Sequence, residues 1–133
     1  MKQFIRLFVC VLFAFTVAAA QEKANPAADQ GIKVEKIVAA SSVDKLEPVG
    51  ENTQFDASVG TVCVWTKVTA KTVPATIKHV WYLGDRKVFE RSLDLKFAST
   101  RTWSNKSIES GSWKVDVTDD AGVVLSSVSF TVK

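Results

Sequence analysis

The chain is short of the residues that most chemistry needs. Its 133 residues include one histidine and two cysteines, and one of the cysteines, Cys10, lies in an apolar N-terminal run. With only Cys63 left beyond residue 20, no internal disulfide can form. A zinc site takes three or four His, Cys or acidic ligands, and His79 with one strand-borne cysteine does not supply them. A nucleophilic triad needs a nucleophile and an acid converging on the histidine. Ser104, Ser107 and Ser112 lie in no Gly-x-Ser-x-Gly turn. Cys63 sits in the apolar string TVCVW without a Gly-rich turn beside it, so it is read as a small buried hydrophobe. Paired carboxylates fail on distance: Glu90 and Asp94 are four strand residues apart, about 13 Å, beyond the ~9.5 Å limit for glycoside hydrolysis. Asp116, Asp119 and Asp120 offer too few oxygens for calcium and read as part of a hairpin. We expect no enzyme, no metal and no cofactor.

Charge of one sign is also scarce. The formal net charge is +3, and it falls to +1 once Lys2 and Arg6 are removed with the leader. No field draws the domain to nucleic acid. There is no long membrane-spanning run either. The apolar stretch 7–17 is short against the ~20 residues a span requires. Lys2 and Arg6 before it and Ala18-Ala19-Ala20 after it make residues 1–20 a signal peptide, with cleavage expected before Gln21 and retention as an anchor the alternative. The protein is expected to be exported, periplasmic or extracellular, with no stable membrane span once the signal is cleaved. Residues 21–31 (QEKANPAADQG) have no usable period and read as a flexible linker.

What is present beyond residue 31 is β-pattern. Strands are expected at 32–43, 59–68, 76–83, 87–95, 102–108, 112–118 and 123–132. The first is expected to kink near Ala39-Ala40 and to break at Leu46-Glu47-Pro48-Val49-Gly50. The segment 59–68 is apolar on both faces, as a strand central in its sheet should be. Residues 71–74 are expected to form a loop, and 98–101 a short link. The clearest alternation puts Trp113, Val115 and Val117 on one face and Lys114 and Asp116 on the other. Val128, Phe130 and Val132 share a face of the last strand. Gly84-Asp85 and Asp119-Asp120-Ala121-Gly122 read as hairpin turns. Seven strands at roughly ten-residue spacing, without a helix, predict an all-β antiparallel sandwich of immunoglobulin type over 32–133. Trp65, Trp81 and Trp113 are expected in its core, with Cys63 against Trp81.

Several strings carry a resemblance. They are His79-Val80-Trp81-Tyr82, Gly84, Arg91-Ser92-Leu93, Arg101-Thr102-Trp103-Ser104-Asn105-Lys106 and Gly111-Ser112-Trp113-Lys114-Val115-Asp116-Val117. Together they resemble an uncharacterised bacterial family catalogued as domain of unknown function 2914. Leu46-Glu47-Pro48-Val49 and Phe55 are similar to that family's first strand and turn, so the resemblance spans 34–132. Its most specific element is Arg-x-Trp-Ser-x-Lys. Family sequences often carry an aromatic residue just before that Arg; here the position is Thr100. The resemblance implies a small exported β-domain and no established activity.

One constellation suggests binding. Parity places His79 with Trp81, and Arg101 with Trp103 and Asn105, while Lys106 shares the parity of Ser104. If the strands at 76–83, 87–95 and 102–108 share an exposed face, Trp103 is an aromatic platform beside the planar donors Arg91 and Arg101. Sugars stack on such rings and guanidinium groups grip anions. The expected role is therefore a non-catalytic module for a glycan or anionic envelope polymer, through Arg101, Trp103 and Lys106 with help from His79 and Arg91. The alternative is an assembly subunit that docks on an envelope protein by strand-edge pairing. An exposed Trp103 favours the first reading, and a long uncharged edge strand the second.

Overall fold

The computed structural model describes residues 31–133. The segments expected to be a signal peptide and, Gly31 excepted, a linker lie outside the described residues. Nine strands follow: β1 (Lys33–Asp44), β2 (Glu47–Glu51), β3 (Gln54–Phe55), β4 (Thr61–Thr69), β5 (Ala75–Leu83), β6 (Arg86–Leu95), β7 (Ser99–Ser107), β8 (Gly111–Asp119) and β9 (Val124–Val132). A single 3₁₀ turn covers Ala57–Val59. Among the described residues no helix is long and apolar enough to cross a membrane.

The strands form two sheets packed as a sandwich. One has the order β2-β1-β4-β7, the other β3-β9-β8-β5-β6. Neighbours are antiparallel except β3, which runs parallel to the end of β9. All seven expected strands are present, and two are added. β2 occupies the segment expected only to break the chain: Lys45 and Leu46 make a turn with φ of 49° and 67°, and Glu47 pairs back with Asp44. Pro48 is tolerated because β2 is an edge strand. β3 is two residues long and has no period to read. The expected link at 98–101 already belongs to β7 from Ser99 onward.

The interior follows from period two. One cluster is aromatic: the Trp113 and Phe130 rings are stacked 6.0 Å apart, and Trp81 meets them edge-on at 6.2 and 6.1 Å. The other is aliphatic, built from Val68, Ile77, Leu93, Leu95 and Val117. Trp113, Val115 and Val117 all point inward as the alternation requires. β4, flanked by β1 and β7, is buried on both faces over most of its length.

The second buried face of β4 has a specific cause. Val62, Val64 and Thr66 face the core, so Cys63 and Trp65 lie on the outer side of their sheet. Both are nevertheless buried. β1 changes partner at Ala40, from β4 to β2, at the place where a kink was expected. The β1–β2 hairpin tip then reaches over the sheet's outer face. The Trp65 Nε1–H donates to the Leu46 carbonyl at 2.9 Å, and Glu47 reaches Arg101 on β7 at 2.7 Å. The hairpin thus covers Trp65, and Cys63 pairs with buried Ala40. The expected contact of Cys63 with Trp81 is therefore corrected: the sheet's own thickness separates them. Trp65 is buried beneath the hairpin, not in the core between the sheets.

Candidate functional site

β5 and β7 carry most of the candidate residues, and they belong to different sheets. That separates the constellation. The ladder pairs β7 with β4, so Arg101 and Trp103 look outward from one sheet beside Lys67 and Trp65. β6 pairs with β5 in the other sheet. No single face presents Trp103 and both arginines.

His79 is fully buried, contrary to its expected place on a binding face. It points between the sheets with Trp81, as parity requires. Its Nδ1 lies 2.7 Å from Ser104 Oγ and its Nε2 3.3 Å from Thr66 Oγ1. Two further bonds fix the direction of every proton. Trp81 Nε1–H donates to Ser104 Oγ at 2.9 Å, and the Thr66 hydroxyl donates to the Thr102 carbonyl at 2.9 Å. Thr66 Oγ1 has spent its proton and only accepts, so His79 carries its hydrogen on Nε2. Nδ1 is then the acceptor for the Ser104 hydroxyl. The result is one chain of donors, Trp81 to Ser104 to His79 to Thr66 to the Thr102 carbonyl, linking β5 to β7 and β4. Protonating His79 would charge a buried ring and leave the Ser104 hydroxyl without its acceptor. Burial lowers the His79 pKa to about 4. The ring is a neutral structural pin at neutral pH.

The remaining candidates stand apart. Arg101 is ion-paired with Glu47 rather than with the acids of neighbouring strands. Trp103 is half-buried beside Trp65. Lys106 has the opposite parity and places its ammonium 6.0 Å from the Phe89 ring centre of β6. Arg91 is exposed on β6, opposite His79 in the ladder. Glu90, Asp116 and Asp119 are engaged elsewhere. Glu90 pairs with Lys87 at 3.3 Å, and Asp116 accepts from Ser127 at 2.6 Å. Asp119 closes the β8–β9 turn by accepting from the Ala121 and Val123 amides. Burial raises the Cys63 pKa and keeps the thiol protonated.

The sheet that holds β5, β6, β8 and β9, together with β7, is where the sequence finds a match: a family described as protein of unknown function (DUF2914). The chain matches DUF2914 over residues 74–132. The Arg-x-Trp-Ser-x-Lys string within the match resolves by parity into three roles: Ser104 in the buried chain, Arg101 and Trp103 outward, Lys106 at the seam with β6. The DUF2914 match begins at Pro74, so β1 to β4, including the 46–49 segment and Phe55, lie outside it. A comparison with curated proteins finds none that matches.

The feature the sequence reading named only in general terms is the free edge of β9. β8 pairs with one side of it, and β3 holds the other side only at Thr131 and Val132. The Thr131 amide donates to the Thr53 carbonyl at 2.9 Å. Backbone direction alternates along a strand, so the amides of Ser129 and Ser127 aim the same way, with no ladder there to receive them. Residues 124–129 (VLSSVS) contain no charge and no proline. β6, the opposite edge of the same sheet, carries Arg86, Lys87, Glu90, Arg91 and Asp94. β1 packs along β9 without a ladder between them. A hollow of about 370 Å³ lies there, floored by Ile37, Ala39 and Val128 and rimmed by Asn52 and Thr53.

Proposed function

We propose that this domain is a non-catalytic docking module of an exported, envelope-located protein, and that it receives an extended segment of a partner protein as an added strand along β9. The observation that carries the reading is the uncharged, proline-free open edge at 124–129. Exposed edges are ordinarily blunted by charge, proline or cover. β6 and β2 are blunted by charge or proline; β9 over 124–129 carries neither, and β1 lies beside it without pairing. An incoming strand gains main-chain hydrogen bonds from the edge and a side-chain pocket from the adjacent hollow. Export is inferred from the basic and apolar leader at 1–20, and the compartment is periplasmic or extracellular.

The test is site-specific photo-cross-linking in cells. A photoreactive residue at Val124 should give a discrete adduct that the same residue at Glu90 on β6 does not. Ser129→Pro removes an outward amide while sparing the β8 ladder, and it should abolish the adduct. Equal adducts from both edges would overturn the reading.

A second reading keeps the glycan or anionic polymer. It is favoured by half-buried Trp103 beside Arg101 on one outer face. A saturable change in tryptophan fluorescence on titration with envelope glycans, lost in Trp103→Ala, would support it over strand docking.

A further inference from the structure

Five of the seven large hydrophobic side chains exposed among the described residues gather at one end of the sandwich: Leu46, Val73, Phe97, Val123 and Val124. Strand register defines that end. Thr69 of β4 pairs with Lys33 and Ser99, Ala75 with Leu95, and Ile77 with Asp119. The β4–β5, β6–β7 and β8–β9 loops therefore share it with the point where the chain enters β1. Val73, Phe97 and Val123 occupy those three loops, and Phe97 is 70% exposed. The hairpin tip joins them, because Leu46, 55% exposed, shares a hollow of about 410 Å³ with Phe97 and Thr100.

Leu46 is unusual on two counts. Its backbone φ is 67°, where glycine or asparagine is relaxed and a leucine is strained. Its side chain faces water. The hairpin turn that lays the Leu46 carbonyl on Trp65 requires this φ, but it does not require an exposed leucine side chain in place of glycine or asparagine. Lysines accompany the apolar tips. Lys45 precedes Leu46, Lys96 precedes Phe97, and Lys71 is two residues before Val73, all exposed. None of the three has an ion-pair partner among the described residues. Exposed apolar tips flanked by lysine suit the boundary between headgroups and acyl chains.

The chain's path supplies the occupant. The apolar segment 7–17 reaches β1 through residues 18–32, a span of at most about 55 Å. Until the leader is cleaved, and throughout if it is retained as an anchor, that segment holds this end of the sandwich near the bilayer surface. We propose that the end bearing Leu46, Val73, Phe97 and Val123 seats on a lipid bilayer, with Phe97 and Leu46 entering the headgroup layer. The open edge of β9 then runs away from the membrane and stays free to pair.

The test uses the full chain with Cys10→Ala, so that an introduced cysteine can be labelled; Cys63 is buried and does not compete. An environment-sensitive fluorophore at Val73→Cys should brighten on vesicles of phosphatidylethanolamine and phosphatidylglycerol and be quenched by spin-labelled lipid. The same fluorophore at Asp85→Cys, in the β5–β6 turn at the far end, should do neither. Leu46→Asn with Phe97→Ser should weaken the response at 73 about tenfold. Leu46→Asn relaxes the backbone, and both sites are exposed, so the double variant retains the fold. Equal responses at 73 and 85, or a response unchanged in the double variant, would overturn the proposal. So would a response at 73 that appears only when envelope proteins are added to the vesicles, because the occupant would then be protein.

Discussion

β5 and β7 make polar contacts in two environments. Inside, Trp81, Ser104, His79 and Thr66 form a closed donor chain between the sheets. Outside, Arg101 of β7 meets Glu47 in an ion pair whose partners are 42% and 56% exposed. The outer pair is as short as the closest inner contact and joins two charged side chains, yet it contributes less. Water competes for its charges, and an exposed pair is worth about 0–1 kcal/mol. The inner groups have no water to return to, and a buried donor or acceptor left unpaired costs about 1–3 kcal/mol. On one strand, burial decides which polar residue holds the fold and which only decorates it.

Breaking the inner chain at its largest member should have the largest effect. Trp81→Ala removes a buried ring that packs against Trp113 and Phe130 and donates to Ser104. We expect a loss of about 3–5 kcal/mol in urea unfolding, a partly collapsed site setting the lower end. A loss under about 1 kcal/mol would remove the aromatic cluster from the centre of the core.

Acid should break the chain at His79. Its folded pKa, about 4, lies below the ordinary 6.5 because burial disfavours the charged ring. The unfolded chain therefore binds the proton first. Stability from this group is complete above pH 6.5 and is lost as pH falls toward 4, by about 3 kcal/mol in all. Urea midpoints across that window should fall with pH, and His79→Gln should flatten the slope. An unchanged slope in the variant would assign the acid limb to other groups.

Ser104→Ala takes one hydroxyl from the chain and leaves Trp81 Nε1 and His79 Nδ1 without partners. The expected loss is about 1–3 kcal/mol, although only one oxygen is deleted. At the small end, Arg101→Ala should change stability by less than about 1 kcal/mol, and 0.5 M salt should erase most of that. If Arg101→Ala proved as damaging as Ser104→Ala, the contrast between the two environments would fail.

Much of the fold was legible because period two reports which residues face inward. Alternation groups Trp113 with Val115 and Val117, and Phe130 with Val128 and Val132, and the Val-rich strands mark Trp81 and Trp113 as core. The seven long strands and the Gly84 and Gly122 turns were marked in the same way. What alternation does not report is the neighbour. β7 pairs with β4 instead of joining β5 and β6, and that single choice separates Trp103 and Arg101 from Arg91. His79 has the same alternation whether its face meets solvent or the facing sheet. Trp65 and Cys63 looked like core residues and are buried, but beneath a hairpin that only long-range folding brings over them. β3 was invisible, since two residues in parallel pairing leave no local signature.

By itself, then, the sequence determined an all-β sandwich with aromatic interior faces, because side-chain alternation and turn chemistry are local properties of the chain. Only the tertiary structure decided what each polar residue does. Whether His79 is a ligand group or a buried pin, whether Arg101 is free or paired, and which edge strand stays open all depend on which distant strand lies alongside. Strand pairing is a long-range choice that no residue's immediate neighbours encode.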